Sequence, residues 1–210
     1  MIYLLSILAF LSGILCIRAK YKILNTQFLI FKPLTLIIII SIIFIWPTTN
    51  PKYQQLILLG LLFSLVGDGF LIFPKKHFKK GLIAFLIGHI CYIGAFALST
   101  GIYYTVWIYL PIIVIGIIYL KNIIPYSGKA TILIIIYVII IAIMGWMALE
   151  GLKSHRAIGA LFAAIGAVLF MISDSVLAMN KFRKQFRSAE LIILSTYFTA
   201  QWLLALSVTI

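Results

Sequence analysis

Uninterrupted apolar runs constrain this chain more than any other feature. Stretches such as LTLIIIISIIFIW (34–46) and ILIIIYVIIIAIMGWMAL (132–149) approach the ~20 residues that a helix needs to cross a bilayer. In hydrocarbon each backbone N–H and C=O must find a partner inside the protein, so only helices and closed barrels span it. Barrel strands alternate polar with apolar residues and are broken by turns; these runs do neither. Composition agrees: 10% of residues are charged, against ~25% in soluble domains. The predicted fold is an all-α, polytopic membrane bundle, one integral membrane domain over 1–210.

Eight apolar segments follow one another, at roughly 2–17, 31–46, 53–73, 81–98, 103–120, 129–149, 156–179 and 189–208. Helix-stop residues separate them: Pro47 and Pro51, Pro74, Gly101, Pro125 with Gly128, and Gly151. The first segment lacks a basic leader and an A-x-A cleavage site, so it reads as a retained span. Cys16 and Cys91 both lie in apolar runs and suggest neither a disulfide framework nor a metal cluster.

The net charge of +13 does not point to nucleic acid, because the charge is concentrated between spans. Arg18, Lys20, Lys22, Lys32, Lys75, Lys76, Lys79, Lys80, Lys121, Lys129, Lys181, Arg183, Lys184 and Arg187 fall on one side; Lys52, Lys153 and Arg156 fall on the other. The positive-inside rule then places the odd-numbered loops in the cytoplasm and both termini outside. The location expected is the cell membrane, for a bacterium the inner membrane. The basic loops would meet anionic headgroups of membrane lipids. No oligomeric state follows from the sequence.

A faint repeat divides the chain four plus four. Lys32-Pro33-Leu34-Thr35 and Lys129-Ala130-Thr131 each precede an Ile-rich run. Segments three and seven each carry an aspartate between small residues, Gly67 and Gly69 in one, Ser173 and Ser175 in the other. Parallel repeats of this kind often bind substrate at their interface.

Those aspartates are the costly residues. Asp68 in LLFSLVGDGFLIF and Asp174 in GAVLFMISDSVLAMNKF lie within apolar runs, where a carboxylate is expensive and marks function. At ~1.5 Å per residue, both sit roughly 9–10 Å from the basic edge. Matching depth predicts one shared pocket and places segments three and seven side by side. His89 and Tyr197 lie about 12 Å deep. His89, Tyr92 and Phe96 share one helical stripe; Glu190, Tyr197 and Gln201 share another. Lys32 by itself reads as snorkelling to the interface, and Glu150 has no assigned role. No nucleophile elbow, phosphate loop or H-E-x-x-H pair is present, so no metal or cofactor is expected and acid–base chemistry is favoured.

Four patterns, VGDGFLIF, FKKGLIAFLIGHICYIGAF, GAVLFMISDSVLAMNKF and ILSTYFTAQWLLALS, together with KPLT at Lys32–Thr35, resemble the YhhN-type lysoplasmalogenase family over nearly the whole chain. The resemblance implies an eight-span membrane hydrolase. Its substrate would be a lysophospholipid, a lysoplasmalogen cleaved at the vinyl ether to a fatty aldehyde and glycerophosphoethanolamine or glycerophosphocholine. It carries site roles to Lys32, Asp68, His89, Asp174, Tyr197 and Gln201. Asp68 and Asp174 are then the expected catalytic pair. Lys32, His89, Tyr92, Ser173, Asn180, Tyr197 and Gln201 would bind or orient substrate.

Paired acids suit this reaction. Vinyl ether hydrolysis starts with proton transfer to the β-carbon and passes through an oxocarbenium ion. One carboxyl can supply the proton while an ionised partner stabilises the cation, as in glycosidases. The alternative from another class is a proton-coupled transporter using the aspartates as a relay. A carrier needs polar groups along both halves of its path, whereas here they cluster toward one side.

Overall fold

The computed structural model describes residues 1–45, 50–101, 105–155 and 157–208. Its elements are α1 (Ile2–Tyr21), α2 (Asn25–Ile43), α3 (Pro51–Leu71), α4 (Pro74–Thr100), α5 (Val106–Ser127), α6 (Thr131–His155), α7 (Ile158–Phe182) and α8 (Ala189–Leu206). A 3₁₀ turn, Gly128–Ala130, joins α5 to α6, and no strand occurs among the described residues.

Among the described residues, seven helical stretches are long and apolar enough to cross a membrane, not the eight expected. The difference lies at α5 and α6, which join into one stretch, Val106–Ser154, of 49 residues. That is more than twice the ~20 residues of one crossing. The stretch doubles back on itself at Gly128, whose φ of +52° is a conformation that glycine adopts without a Cβ penalty. Tyr109 in α5 consequently meets Trp146 in α6, ring centroids 6.1 Å apart. Pro125 lies inside α5 and does not end it. Gly151 does not end α6, which runs on to His155; it allows close approach to Thr100 of α4 instead.

Other boundaries follow ordinary capping. Pro51 and Pro74 open α3 and α4, where the missing proline N–H costs nothing. The Asn50 side chain accepts a hydrogen bond from the Tyr53 amide at 3.2 Å. Gly101 closes α4 with φ +76°. The basic segment before the fourth span is helical, not a loop, because Pro74 starts α4 ahead of it. Pro47 and the expected segment starts at 103 and 156 lie outside the described residues.

Helices α3 and α4 pack most extensively, followed by α7 with α8 and α1 with α2; α6 lies against α4 and α7, and α2 against α8. The α3–α4 approach depends on Gly60, where a Cβ would fall 2.2 Å from the Tyr92 ring; small residues serve this purpose in membrane bundles. Tyr92, Phe96 and Phe170 fill the centre and are fully buried. Among the described residues α3 and α7 do not form a packed pair, contrary to expectation; α8 packs against both. Both carboxylates nevertheless line one cavity, with Phe85 of α4 and Tyr197 of α8 in its wall.

The basic helix ends gather at one end of the bundle. Lys79 Nζ donates to the Lys129 carbonyl at 3.0 Å, Arg183 to Asn122 Oδ1 at 3.2 Å, and Tyr21 Oη to the Arg187 carbonyl at 2.7 Å.

Candidate active site

Asp68, on α3, is 1% exposed. Its Oδ1 lies 3.0 Å from Lys32 Nζ of α2, and its Oδ2 accepts from Tyr197 Oη of α8 at 2.9 Å. Lys32 does not snorkel; it is buried with its countercharge. Removing one member of such a pair leaves a buried charge and costs about 3–5 kcal/mol.

Asp174, on α7, has different company. Its Oδ2 accepts a very short hydrogen bond from Tyr137 Oη of α6. The same oxygen lies 3.2 Å from His89 Nε2 of α4, and that nitrogen is 2.9 Å from Tyr137 Oη. His89 Nδ1 is buried without a hydrogen-bond partner. An N–H there would be an orphan donor, so the network assigns the proton to Nε2, shared between Tyr137 and Asp174. Phe170 packs edge-on against His89, centroids 4.6 Å apart, and fixes its ring plane. Thus Asp68 is held by a cation and a phenol, each through a separate oxygen. Asp174 is held by a phenol and an imidazole through one oxygen, so Oδ1 lies outside these contacts.

Both aspartates line one cavity of about 240 Å³. Lys32, Ser173, Asn180 and Tyr197 line it too. Ser173 Oγ, however, donates to the Ile193 carbonyl at 3.0 Å, and Asn180 Oδ1 accepts from the Phe186 amide at 3.4 Å; both also hold α8 and its entry loop. His89, Tyr92 and Gln201 do not line the cavity but stand behind it. Tyr92 Oη donates to Gln201 Oε1 at 2.8 Å, tying α4 to α8 beneath Tyr197. Among the described residues no group of three or more His, Cys, Asp or Glu is placed to hold a metal ion.

The structure adds residues that the sequence reading missed. Tyr137 is the most important; its signal was a single hydroxyl in the run ILIIIYVIIIAI. Lys20, Lys181, Gln185 and Glu190 also line the cavity. Lys20 and Glu190 are 3.6 Å apart and about one-third exposed, which puts opposite charges at the mouth. The basic residues there were legible as loop charges, and Glu190 as a member of the stripe with Tyr197 and Gln201; their place on the cavity was not. Glu150, at the other end, accepts from the Thr105 amide and hydroxyl at 2.7 and 2.9 Å and joins α6 to the start of α5.

The arrangement is suited to acid–base chemistry on a molecule with a polar head. One carboxylate is paired with an ammonium; the other is held by a phenol and an imidazole through one oxygen. A second, apolar cavity shares Asp174 as part of its wall.

Comparisons with known proteins identify the family. The YhhN family model matches residues 27–208. The chain is 36% identical over 168 residues to a Bos taurus protein named lysoplasmalogenase TMEM86A, covering 76% of this chain and 67% of the relative. It is 33% identical over 166 residues to Homo sapiens lysoplasmalogenase TMEM86B, covering 78% and 68%. It is 28% identical over 197 residues to the uncharacterised membrane protein YhhN of Escherichia coli O157:H7, covering 94% of each. The match thus spans about two thirds of the mammalian relatives' length and nearly all of the bacterial one's. No solved structure matches. With its family model covering nearly the whole chain, this protein belongs to the YhhN family.

Proposed function

We propose that the protein is a membrane lysoplasmalogenase, which hydrolyses the vinyl ether of a lysoplasmalogen to a fatty aldehyde and glycerophosphoethanolamine or glycerophosphocholine. The names of the mammalian relatives support the substrate class. The observation that carries the mechanism is the unequal partnering of two aspartates on one cavity. In this reading Asp68, paired with Lys32, is the carboxylate that faces the developing cation, and Asp174, without a cationic partner of that kind, is the general acid.

The Asp174 carboxyl protonates the β-carbon of the vinyl ether, and the electron pair of the double bond forms the new C–H bond. The α-carbon and ether oxygen then share a positive charge, which the Asp68 carboxylate stabilises across the cavity. Water attacks the α-carbon and gives its proton to the Asp174 carboxylate. The hemiacetal collapses to aldehyde and alcohol, so one water is consumed and the acid is regenerated. Tyr137 and His89 position Asp174; Tyr197 and Lys32 position Asp68.

The topology belongs to the same proposal. The 49-residue stretch crosses twice, giving eight crossings with the basic ends in the cytoplasm and both termini outside. The four-plus-four repeat is supported by partner choice: Asp68 draws on α2 and α8, Asp174 on α6 and α4, which are the second and fourth helices of the two halves. A carrier reading finds less support, because Phe96 and Phe170 fill the centre beneath the site.

The test is incubation of the purified protein with lysoplasmenylethanolamine and an aldehyde readout, beside Asp174→Asn. Aldehyde from the wild type, and roughly 10²–10⁴-fold less from the variant, is expected. Equal activity in both would sink the assignment of Asp174.

A further inference from the structure

A lipid whose vinyl ether lies at Asp174 needs room for its hydrocarbon on the side away from the polar cavity. Three cavities with shared walls lie in that direction. The polar cavity and a smaller apolar one share Phe78, Asp174 and Leu177 as walls. The apolar cavity in turn shares Ile112, Gly116, Val138 and Ala142 with a groove of about 440 Å³ between α5 and α6. This groove is almost wholly aliphatic and aromatic and ends at Tyr109 and Trp146. From Tyr137, beside Asp174, to Trp146 the rise along α6 is about 14 Å. The path therefore changes from charged to apolar at Asp174 and then runs along the bundle.

We propose that this path is the binding site of the substrate's alkenyl chain, with Gly116 and Ala142 setting how long a chain is accepted. The inference rests on the lysoplasmalogenase reading and adds the substrate's direction: glycerophospho head toward Lys20 and Lys181, tail between α5 and α6. A larger apolar groove of about 510 Å³, between α1, α2 and α8, competes on size. It shares no lining residue with the polar cavity, so a tail there would leave the vinyl ether away from both carboxylates. Two small residues keep the α5–α6 path open. A Cβ on Gly116 would meet only Val138 Cγ1, at 3.8 Å, so the backbone there has room for a side chain on the groove's wall.

Two measurements test this. The first compares lysoplasmenylethanolamines with long and short alkenyl chains on the wild type, Gly116→Leu and Ala142→Leu. Each buried methylene displaced weakens binding severalfold, so the long-to-short ratio of kcat/KM should fall roughly tenfold or more. An unchanged ratio would overturn the proposal. The second uses a lysophospholipid with a diazirine at the chain terminus, photolysed with wild-type protein in nanodiscs. Labelled peptides should come from α5 and α6. Labelling confined to α1 and α8 overturns the chain site even if hydrolysis is observed. Labelling of α5 and α6 without hydrolysis retains the site and rejects the lysoplasmalogenase reading instead.

Discussion

Asp68 and Lys32 form a buried ion pair, and such pairs make sharp predictions. Lys32→Met alone strands a carboxylate and should cost about 3–5 kcal/mol, read as a lowered thermal midpoint in detergent. Lys32→Met with Asp68→Asn removes both charges and should recover most of that loss. A double variant no more stable than the single would mean that the pair is not what holds α2 to α3. Activity should separate differently. Asp174→Asn should lose roughly 10²–10⁴-fold. Asp68→Asn added to it should do little more, because groups acting in one transition state are not additive. Tyr137→Phe removes a hydrogen bond to a carboxylate, worth about 1.5–3 kcal/mol, and should reduce kcat roughly ten- to a hundredfold with KM little changed. The aspartates were legible in the sequence because a carboxylate in hydrocarbon stands out. Tyr137 was not, since a tyrosine in an Ile-rich run reads equally well as packing.

At the scale of elements, α3 and α4 are joined where glycines remove side chains. Gly60→Ala places a methyl where the Tyr92 ring now lies. The ring must move and the Tyr92–Gln201 hydrogen bond with it, so the variant should lose about 1–3 kcal/mol as an overpacked core does. Gly69→Ala, which meets nothing within 4 Å, is the control, and similar thermal midpoints for both would refute the account. Helix positions were readable from apolar runs, but helix ends were less so. Proline and glycine begin, kink or crowd helices as well as stop them: Pro74 starts α4, Pro125 is carried inside α5, and Gly151 lets α6 approach Thr100. Nor did equal depth reveal that α8 and α6, not α3, are the helices packed on α7.

For the whole molecule the prediction is topological. A cysteine at Lys76 or Lys184 should react with an impermeant thiol reagent only after the cytoplasmic face is opened, and one at Lys52 should react in intact cells. The reverse pattern would invert the orientation. Helix class and the gathering of charge at one end followed from composition and spacing alone; the cavity's shape, which depends on how α4 and α8 fill the bundle, did not.

The cavity mouth, with Lys20, Lys181 and Glu190, sits at the basic end of the bundle. Under the proposed reading this makes the enzyme one-sided: it draws lipid from a single leaflet. Its products then part company, the glycerol phosphodiester diffusing into the adjacent water and the aldehyde remaining in the bilayer. In vesicles with the protein inserted in one direction, turnover should stall once that leaflet is exhausted and resume when a scramblase supplies the other.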